Sequence, residues 1–388
     1  MILFNKIRIT LFVFFILISS ILNAQETKEV EAKGFGIQRE DALQDSFRAA
    51  IGKAIGVSLV SETQVENFMV VQDAITTNTK GYITSYEIIN EGKVTEGYEV
   101  VIKASVSLSP LKADIQLLTK QIGGVRFLVM YDKRKINDKE IANYEFAVER
   151  INGFLAERKY RYIEKSRFEE LQKEAFNIMQ ESDTSTASYV QRLGMMSGAQ
   201  FIIFVNKIFV NSRSEAFDTR TTSQVTVEAK SYDNCTAEGL GTVILSSDWE
   251  SATNKNATIR GGIEEAITKN FGKLLYTFNS YIGDWINNGT PYELRFYSVG
   301  TFRDFRDLRT KIKADKNFGG QLEIISVSNY TKLNCTFKSL PDDVAYSILD
   351  YADEIPAFKE KVLDVKLMYG RQISFAPQNI VIPGLQNK

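Results

Sequence analysis

The apolar residues of this chain follow two spacings that change from one segment to the next. In one segment every second residue is apolar, which predicts a strand with one buried face: Tyr98, Val100, Ile102, Ala104, Val106 and Leu108. In another segment the apolar residues form one helical stripe: Ile263, Ile267, Phe271, Leu274, Phe278, Ile282 and Trp285. This mixture predicts a multidomain α+β and α/β chain, and 388 residues suffice for roughly two or three domains.

The first 24 residues predict a signal peptide. Lys6 and Arg8 precede an apolar run over 9–18, and Ala24 is a plausible residue for cleavage to follow. The run is shorter than the ~20 residues of a spanning helix, so cleavage is favoured over an uncleaved anchor. No cysteine lies near the end of the run, where the lipidated residue of a bacterial lipoprotein stands, so lipidation is excluded. We expect an exported, periplasmic protein that starts at Gln25, has no transmembrane segment and could lie on the outer membrane.

The sequence contains no histidine. Hydrolases with a histidine base, histidine zinc sites and histidine proton shuttles are therefore excluded. The net charge of −1 gives no general attraction to nucleic acid. P-loop and Cys-x-x-Cys motifs are absent, and Gly34-Phe35-Gly36 lacks the third glycine of a dinucleotide-binding loop. We therefore predict no catalytic residues, no cofactor-binding residues and no metal ligands.

Two cysteines, Cys235 and Cys335, stand in near-identical Asn-Cys-Thr contexts. In an oxidising compartment they could form a disulfide, or they could be two half-buried thiols in strands. Free thiols are favoured, because the cysteines fall in different predicted domains and disulfide geometry is demanding. Asn-Cys-Thr also matches a glycosylation acceptor, which carries little weight for a bacterial exported protein.

Other charged and aromatic groups have a structural as well as a functional interpretation. Three acidic pairs could serve acid–base chemistry but are more typical of solvated helix faces and helix starts: Glu169-Glu170, Glu264-Glu265 and Asp342-Asp343. The charged run 132–135 follows a strand, where ligand loops lie, but a solvated turn is favoured. The segment 303–309 alternates in charge, as exposed helices with ion pairs do. An aromatic set could form a partner surface but is mostly expected in the core: Tyr276, Phe278, Tyr281 and Trp285.

The first predicted domain covers residues 25–110. Its pattern is a strand over 28–34, a Gly34-Phe35-Gly36 turn, a helix over 39–56, a weaker helix over 64–76, and strands over 82–89 and 94–108 joined by a turn at Asn90-Glu91-Gly92-Lys93. This region resembles the amino-terminal domain of flagellar assembly protein T and related envelope lipoproteins. The resemblance rests on the turn, on the helix with Ala-Ile-Gly-Lys-Ala-Ile-Gly, and on the strands that begin with Gly81-Tyr82-Ile83 and Gly97-Tyr98-Glu99. The resemblance implies a small domain with a helix packed on a sheet.

The second predicted domain covers residues 125–288, after a connector between Pro110 and Gly124. We predict strands over 125–131, 201–210, 224–231 and 241–247, and helices over 139–158, 166–179, 188–196 and 263–285. The segment Leu193-Gly194-Met195-Met196-Ser197-Gly198-Ala199-Gln200-Phe201-Ile202-Ile203 resembles the middle domain of the same flagellar protein, the amino-terminal domain of TolB and the curli secretion lipoprotein. The resemblance implies an α/β sandwich used for contacts between envelope proteins. No propeller repeat occurs.

The third predicted domain covers residues 291–376. Strands over 292–299, 321–327, 332–337 and 362–369 and helices over 303–314 and 341–352 give the order β-α-β-β-α-β, which is that of a ferredoxin-like domain. Residues 377–388 are predicted to be a flexible tail.

These observations predict an exported, non-enzymatic scaffold or assembly factor for a secretion or motility complex of the cell envelope. Its partners would be envelope proteins, with homo-oligomers allowed and nucleic acid not expected. The alternative is a periplasmic small-molecule or glycan binding module that uses a cleft between domains. A third interpretation is a hydrolase that uses only carboxylates.

Overall fold

The computed structural model describes residues 26–58, 68–77, 79, 81–95, 97–122, 125–164, 193–194, 196–214, 220–327 and 330–380. The chain divides into two compact units, Met1–Gln64 with Thr79–Gln116, and Val65–Asn78 with Leu117–Lys388. Both contain helices packed on sheets, so the chain is a mixed α/β protein with several sheets. The predicted signal peptide, the helix over 166–179, most of the helix over 188–196 and the end of the tail lie outside the described residues.

The elements follow the alternating pattern of the sequence. In chain order they are β1 (Thr27–Gly36), α1 (Arg39–Ser58), α2 (Phe68–Thr77), β2 (Ile83–Val94), β3 (Gly97–Ser107), α3 (Leu108–Ile122), β4 (Phe127–Met130), a 3₁₀ turn (Lys133–Lys135), α4 (Ile141–Glu157), β5 (Phe201–Ser214), β6 (Thr221–Asp233), β7 (Glu238–Ser246), β8 (Glu250–Ala252), α5 (Lys255–Asn288), β9 (Thr290–Tyr297), α6 (Asp304–Ala314), β10 (Phe318–Val327), β11 (Tyr330–Phe337), α7 (Pro341–Asp353), α8 (Pro356–Lys359), β12 (Leu363–Tyr369) and β13 (Gln372–Pro377).

The first unit is an antiparallel sheet in the order β1-β3-β2, with α1 packed across β1 and β3. The predicted turn at Gly34-Phe35-Gly36 is wrong, because both glycines lie within β1. A Cβ atom at Gly34 would overlap the amide nitrogen of Ser46 and the carbonyl oxygen of Ala42 on α1. The two glycines are therefore needed for the close approach of helix and strand rather than for a turn.

A further prediction about the first unit is wrong. The residues expected to form a turn, 90–93, pair with β3, and the two strands separate only after Val94. A β-bulge between Ile88 and Asn90 interrupts the alternation there. The expected connector is the helix α3, with Pro110 in its first turn. A proline is tolerated in a first turn because its missing N–H would have no partner within the helix.

The second unit contains a sheet in the order β4-β5-β6-β7, with β8 paired beside β6. The β4–β5 pair is parallel, and the other pairs are antiparallel. The long helix α5 covers β6 and β7, and α2 and α4 pack against α5. The helix predicted around 263–285 is thus confirmed and extended at both ends. Although α2 lies between α1 and β2 in the chain, it belongs to the second unit.

The carboxy-terminal part of the second unit is a sheet in the order β10-β11-β9-β13-β12. The sequence pattern predicts four strands, and the structure has a fifth strand, β13, between β9 and β12 and parallel to β9. Helices α6 and α7 contribute to one apolar core with this sheet, around Phe296, Phe305 and Phe375. Every residue of β13 is buried, so the strand lacks the alternation that marks half-exposed strands.

Candidate functional site

A fully buried ion pair joins the two sheets of the second unit. Asp233 is the last residue of β6, and Arg371 lies in the turn between β12 and β13. The Arg371 Nη1 and Nη2 atoms lie 2.8 Å from Asp233 Oδ2 and Oδ1 respectively, a two-pronged contact. The side chains are 2% and 0% exposed. A charge-assisted pair of this geometry fixes the relative orientation of the two side chains as well as the distance between them.

Other groups complete the coordination of this ion pair. The Tyr281 hydroxyl of α5 donates to Asp233 Oδ2 at 2.7 Å, and the backbone N–H of Cys235 donates to Oδ1 at 2.9 Å. Arg371 also donates to the carbonyl of Pro291 at 3.0 Å, and its guanidinium lies 4.6 Å from the centre of the Trp285 ring. Burial raises the pKa of Tyr281, and the charge of Asp233 raises it further, so the hydroxyl remains a donor.

The turn that carries Arg371 fits closely against the first sheet. The Tyr369 hydroxyl contacts the carbonyl of Ala199 and donates to the carbonyl of Gly194 at 3.0 Å, while the Asn234 amide donates to Tyr369 at 2.9 Å. Gly370 has a φ of 52°, and a Cβ atom there would lie 2.8 Å from the Cys235 sulfur. A glycine satisfies both the backbone conformation and the limited space.

A second buried carboxylate lies on β9 beside the same turn. Glu293 is fully buried, and its Oε1 accepts from Arg295 Nε at 2.6 Å. Lys332 Nζ on β11 lies 3.3 Å from Glu293 Oε2. One carboxylate therefore holds two cations that stand directly opposite each other on neighbouring strands. This arrangement offsets a cross-strand repulsion that would otherwise destabilise the sheet.

The chemistry available at this junction is structural. Both oxygens of Asp233 and both terminal nitrogens of Arg371 are hydrogen-bonded within the protein. The neighbouring Cys235 thiol is a poor nucleophile, because burial raises its pKa to about 12. The site holds two sheets in one orientation and presents no reactive group to solvent.

A third polar cluster attaches α2 to α5. The Tyr160 hydroxyl, which follows α4, donates to Asp73 Oδ2 at 2.7 Å and lies 3.1 Å from Asn279 Oδ1. Burial raises the pKa of Asp73, although hydrogen bonds from Tyr160 and Asn279 and the charge of Arg158 act in the opposite direction. A tyrosine hydroxyl has one proton, so it cannot donate to both oxygens at once.

The structure places both cysteines in the core as free thiols, so the favoured prediction is confirmed and the disulfide alternative is wrong. Burial raises the pKa of Cys335 as well. Asn234 is buried and hydrogen-bonded, which is incompatible with its use as a glycan acceptor in the folded protein.

Two of the three acidic pairs lie in ion pairs or at a helix start, and the charged run forms a turn whose first residue is buried rather than solvated. Glu264 and Glu265 of α5 form ion pairs with Arg150 at 2.7 Å and Lys269 at 2.5 Å. Asp342 and Asp343 occupy the first turn of α7, and Glu169-Glu170 lies outside the described residues. The run 132–135 forms a 3₁₀ turn capped by the buried Asp132 carboxylate, which also binds Arg134.

The aromatic set divides between core and surface. Phe278 and Trp285 are buried, whereas Tyr276 is 53% exposed. Tyr281 is the member with a specific contact, through Asp233. A partner surface formed by all four side chains is therefore wrong for the folded chain.

One shallow cleft of about 410 Å³ lies at the edge of the first sheet of this unit, and neither Asp233 nor Arg371 lines it. It is lined by Arg126, Tyr160, Arg161, Tyr162, Ile163 and Glu164. Within the described residues, no three acidic or cysteine side chains are grouped so that they could hold a metal ion. None of the helices in the described ranges is long and apolar enough to cross a membrane.

Sequence reasoning missed Asp233 and Arg371. Asp233 carried a usable signal, because it continues the period-two row of buried positions in β6 that includes Val225, Val227 and Ala229. A charged residue on the core face needs a partner. Arg371 carried no comparable signal, since it lies outside every predicted strand and helix.

No protein-family model matches this chain, and no curated protein sequence matches it. Two of the solved structures that share limited similarity with this chain are a lipoprotein and the C-terminal domain of a second protein. The lipoprotein GNA1162 from Neisseria meningitidis has 15% identity and a TM-score of 0.27, over 38% of this chain and 99% of that chain. The C-terminal domain of LpoB from Salmonella enterica has 13% identity and a TM-score of 0.19, over 34% of this chain and 92% of that chain. TM-scores this low define neither the fold nor the function of this chain.

Proposed function

We propose that the chain is an exported, non-enzymatic scaffold or assembly factor of the cell envelope. The observation that carries the proposal is the Asp233–Arg371 junction, where a buried ion pair fixes the orientation of two sheets. A protein built in this way contributes defined surfaces to an assembly. The resemblance to flagellar assembly protein T and the signal-peptide pattern of residues 1–24 supply the envelope as the place of action.

Crosslinking in intact cells, followed by mass spectrometry, tests this proposal. We expect crosslinks to envelope proteins, and an intact mass that corresponds to a chain beginning at Gln25. A matched variant that lacks residues 2–24 should remain in the cytosol and lose those crosslinks. Recovery of the protein only as a free monomer, or of an exported chain that keeps Met1, would contradict the proposal.

A second candidate function is the binding of a small anionic ligand, and the cleft with Arg126 and Arg161 favours it. This cleft lies within the second unit, whereas the sequence-based alternative places the ligand in a cleft between domains. Citrate should then raise the Tm of the protein by mass action, and Arg126→Gln should remove the increase. Arg306→Gln, at an exposed position on α6, is the matched control. An equal response in both variants would exclude the cleft.

A further inference from the structure

Two neighbouring helices of the second unit carry opposite charges. Helix α6 and the residue before it have five basic side chains against two acidic ones: Arg303, Arg306, Arg309, Lys311 and Lys313 against Asp304 and Asp307. Helix α7 has four acidic side chains and no basic one: Asp342, Asp343, Asp350 and Asp353. The charges are therefore separated by helix rather than interspersed.

The two helices lie side by side on one face of the β9–β13 sheet. Both contribute to the same core, for example through Leu308 and Ile348. Their carboxyl ends are joined, because Lys311 forms an ion pair with Glu354 and the Tyr351 hydroxyl donates to Asp315 Oδ2 at 2.7 Å. The outward sides form one surface with a positive half and a negative half.

This surface also exposes two large aromatic side chains, one on each half. Phe302, just before α6, is 63% exposed, and Tyr346 of α7 is 68% exposed. Exposed aromatic side chains beside charged groups are typical of the centres of protein interfaces.

Helix stability does not explain where several of these charges lie. Acidic residues favour the start of a helix and basic residues favour its end. Asp342 and Asp343 at the start of α7 follow this rule. Three other charged residues do not: Asp350 and Asp353 lie in the second half of α7, and Arg306 lies in the first turn of α6. Among the described residues, Asp350 and Asp353 have no ion-pair partner, and Arg306 pairs only with the adjacent exposed Asp307 at 3.3 Å. Residues that oppose a local rule are expected where a surface has a function.

We propose that this α6–α7 surface binds the same surface of a second copy of the chain. A two-fold axis parallel to the two helices places α6 of each copy over α7 of the other. Arg303 and Arg306 then face Asp342 and Asp343, and Lys313 faces Asp350 and Asp353. Such a dimer goes beyond the proposed scaffold function and does not depend on it, because it follows from charge complementarity alone.

The size of the surface sets the strength of the dimer. Helices of 11 and 13 residues are about 16 and 20 Å long, and two side by side are about 20 Å wide. An interface of this footprint is at the small end of specific interfaces. The dimer is therefore weak and depends on salt, since exposed charges are screened at high ionic strength.

Charge reversal tests the proposal with two variants of the mature chain, each at exposed positions. The first, Arg306→Glu/Lys313→Glu, makes α6 acidic, and the second, Asp343→Lys/Asp353→Lys, makes α7 basic. Light scattering at about 100 μM protein and about 0.05 M salt should give a mean mass that approaches twice the monomer mass for the wild type and equals the monomer mass for each variant alone. An equimolar mixture of the two variants should again give twice the monomer mass, because each pairs with the other.

The control variant Asp138→Lys/Glu157→Lys changes the net charge by the same amount as the α7 variant, on a different exposed surface. It should keep the dimer, and circular dichroism should show all variants folded. A monomeric wild type would overturn the proposal. Dimers that persist in either charge-reversed variant, or a mixture that stays monomeric, would also overturn it.

Discussion

Asp233 shows what a single buried charge requires of its neighbours. Its two oxygens receive four donors, two from Arg371 and one each from Tyr281 and Cys235. Burying either charge alone would be strongly unfavourable, so the two residues depend on each other. The pair therefore specifies how two sheets meet more than it adds to net stability.

We expect Asp233→Asn to destabilise the second unit by about 3–5 kcal/mol, because it leaves the Arg371 charge buried without a partner. Asp307→Asn is the matched control, since Asp307 is 58% exposed and, within the described part of the chain, forms an ion pair only with Arg306. That change should alter stability by less than about 0.5 kcal/mol. Denaturant unfolding followed by tryptophan fluorescence measures both, because Trp285 lies beside Arg371. Equal effects of the two substitutions would show that the buried pair is not needed.

At the scale of elements, the contact between α1 and β1 depends on the absence of a side chain. Gly34→Ala would place a methyl group against the backbone of α1, and we expect a loss of about 1–3 kcal/mol from the forced separation. Gly56→Ala near the end of α1 meets no atom within 4 Å and should stabilise the helix by up to about 1 kcal/mol. Hydrogen exchange of the α1 and β1 amides measures both effects. Faster exchange in the Gly56 variant than in the Gly34 variant would contradict the expectation.

The attachment of α2 should depend on pH. The pKa of Asp73 is raised in the folded chain above its unfolded value of about 3.9. Below that unfolded pKa the carboxyl group is protonated in both states and its burial carries no charge penalty. As pH rises from the unfolded pKa through the folded pKa, the carboxyl group becomes ionised first in the unfolded and then in the folded state. The folded state loses stability over this range. A protonated Asp73 also lets Tyr160 donate to Asn279.

Asp73→Asn should remove this pH dependence. The stability of the variant relative to the wild type is expected to increase as pH rises from about 4 to 7, because the amide stays neutral while Asp73 ionises. Thermal unfolding across that range provides the measurement. The exposed Asp138→Asn is the control and should show no such trend. A relative stability that falls with rising pH would refute the assignment to Asp73.

Most elements could be predicted from local patterns, and the exceptions have physical causes. Strands β3 and β6 and helices α4 to α7 show clear periodicity, because each has one buried and one exposed side. Strand β13 could not be found in this way, since it is short and buried throughout. Residues 90–93 have the composition of a turn, but a bulge lets them continue β2. Gly34 and Gly36 have the spacing of a turn, but they serve a helix–strand contact that only the fold reveals.

At the scale of the whole molecule, the pairing of Asp233 with Arg371 was beyond the reach of sequence patterns. Asp233 and Arg371 are 138 positions apart. Their pairing depends on how β6 and the β12–β13 turn are brought together, and no local signal encodes such a distance. The same holds for Asp73, Tyr160 and Asn279, which come from three separate segments. The charge separation between α6 and α7 is visible in the sequence, but its meaning needs their adjacency in the fold.

The position of α2 has a consequence for how the protein is made. Val70, Val71, Ala74 and Ile75 are fully buried, and the helix α5 that covers them is synthesised only after most of the chain has emerged. During that interval the apolar side of α2 has no permanent cover, and such surfaces promote aggregation. The final packing of α2 therefore has to wait for the synthesis of α5, Lys255–Asn288.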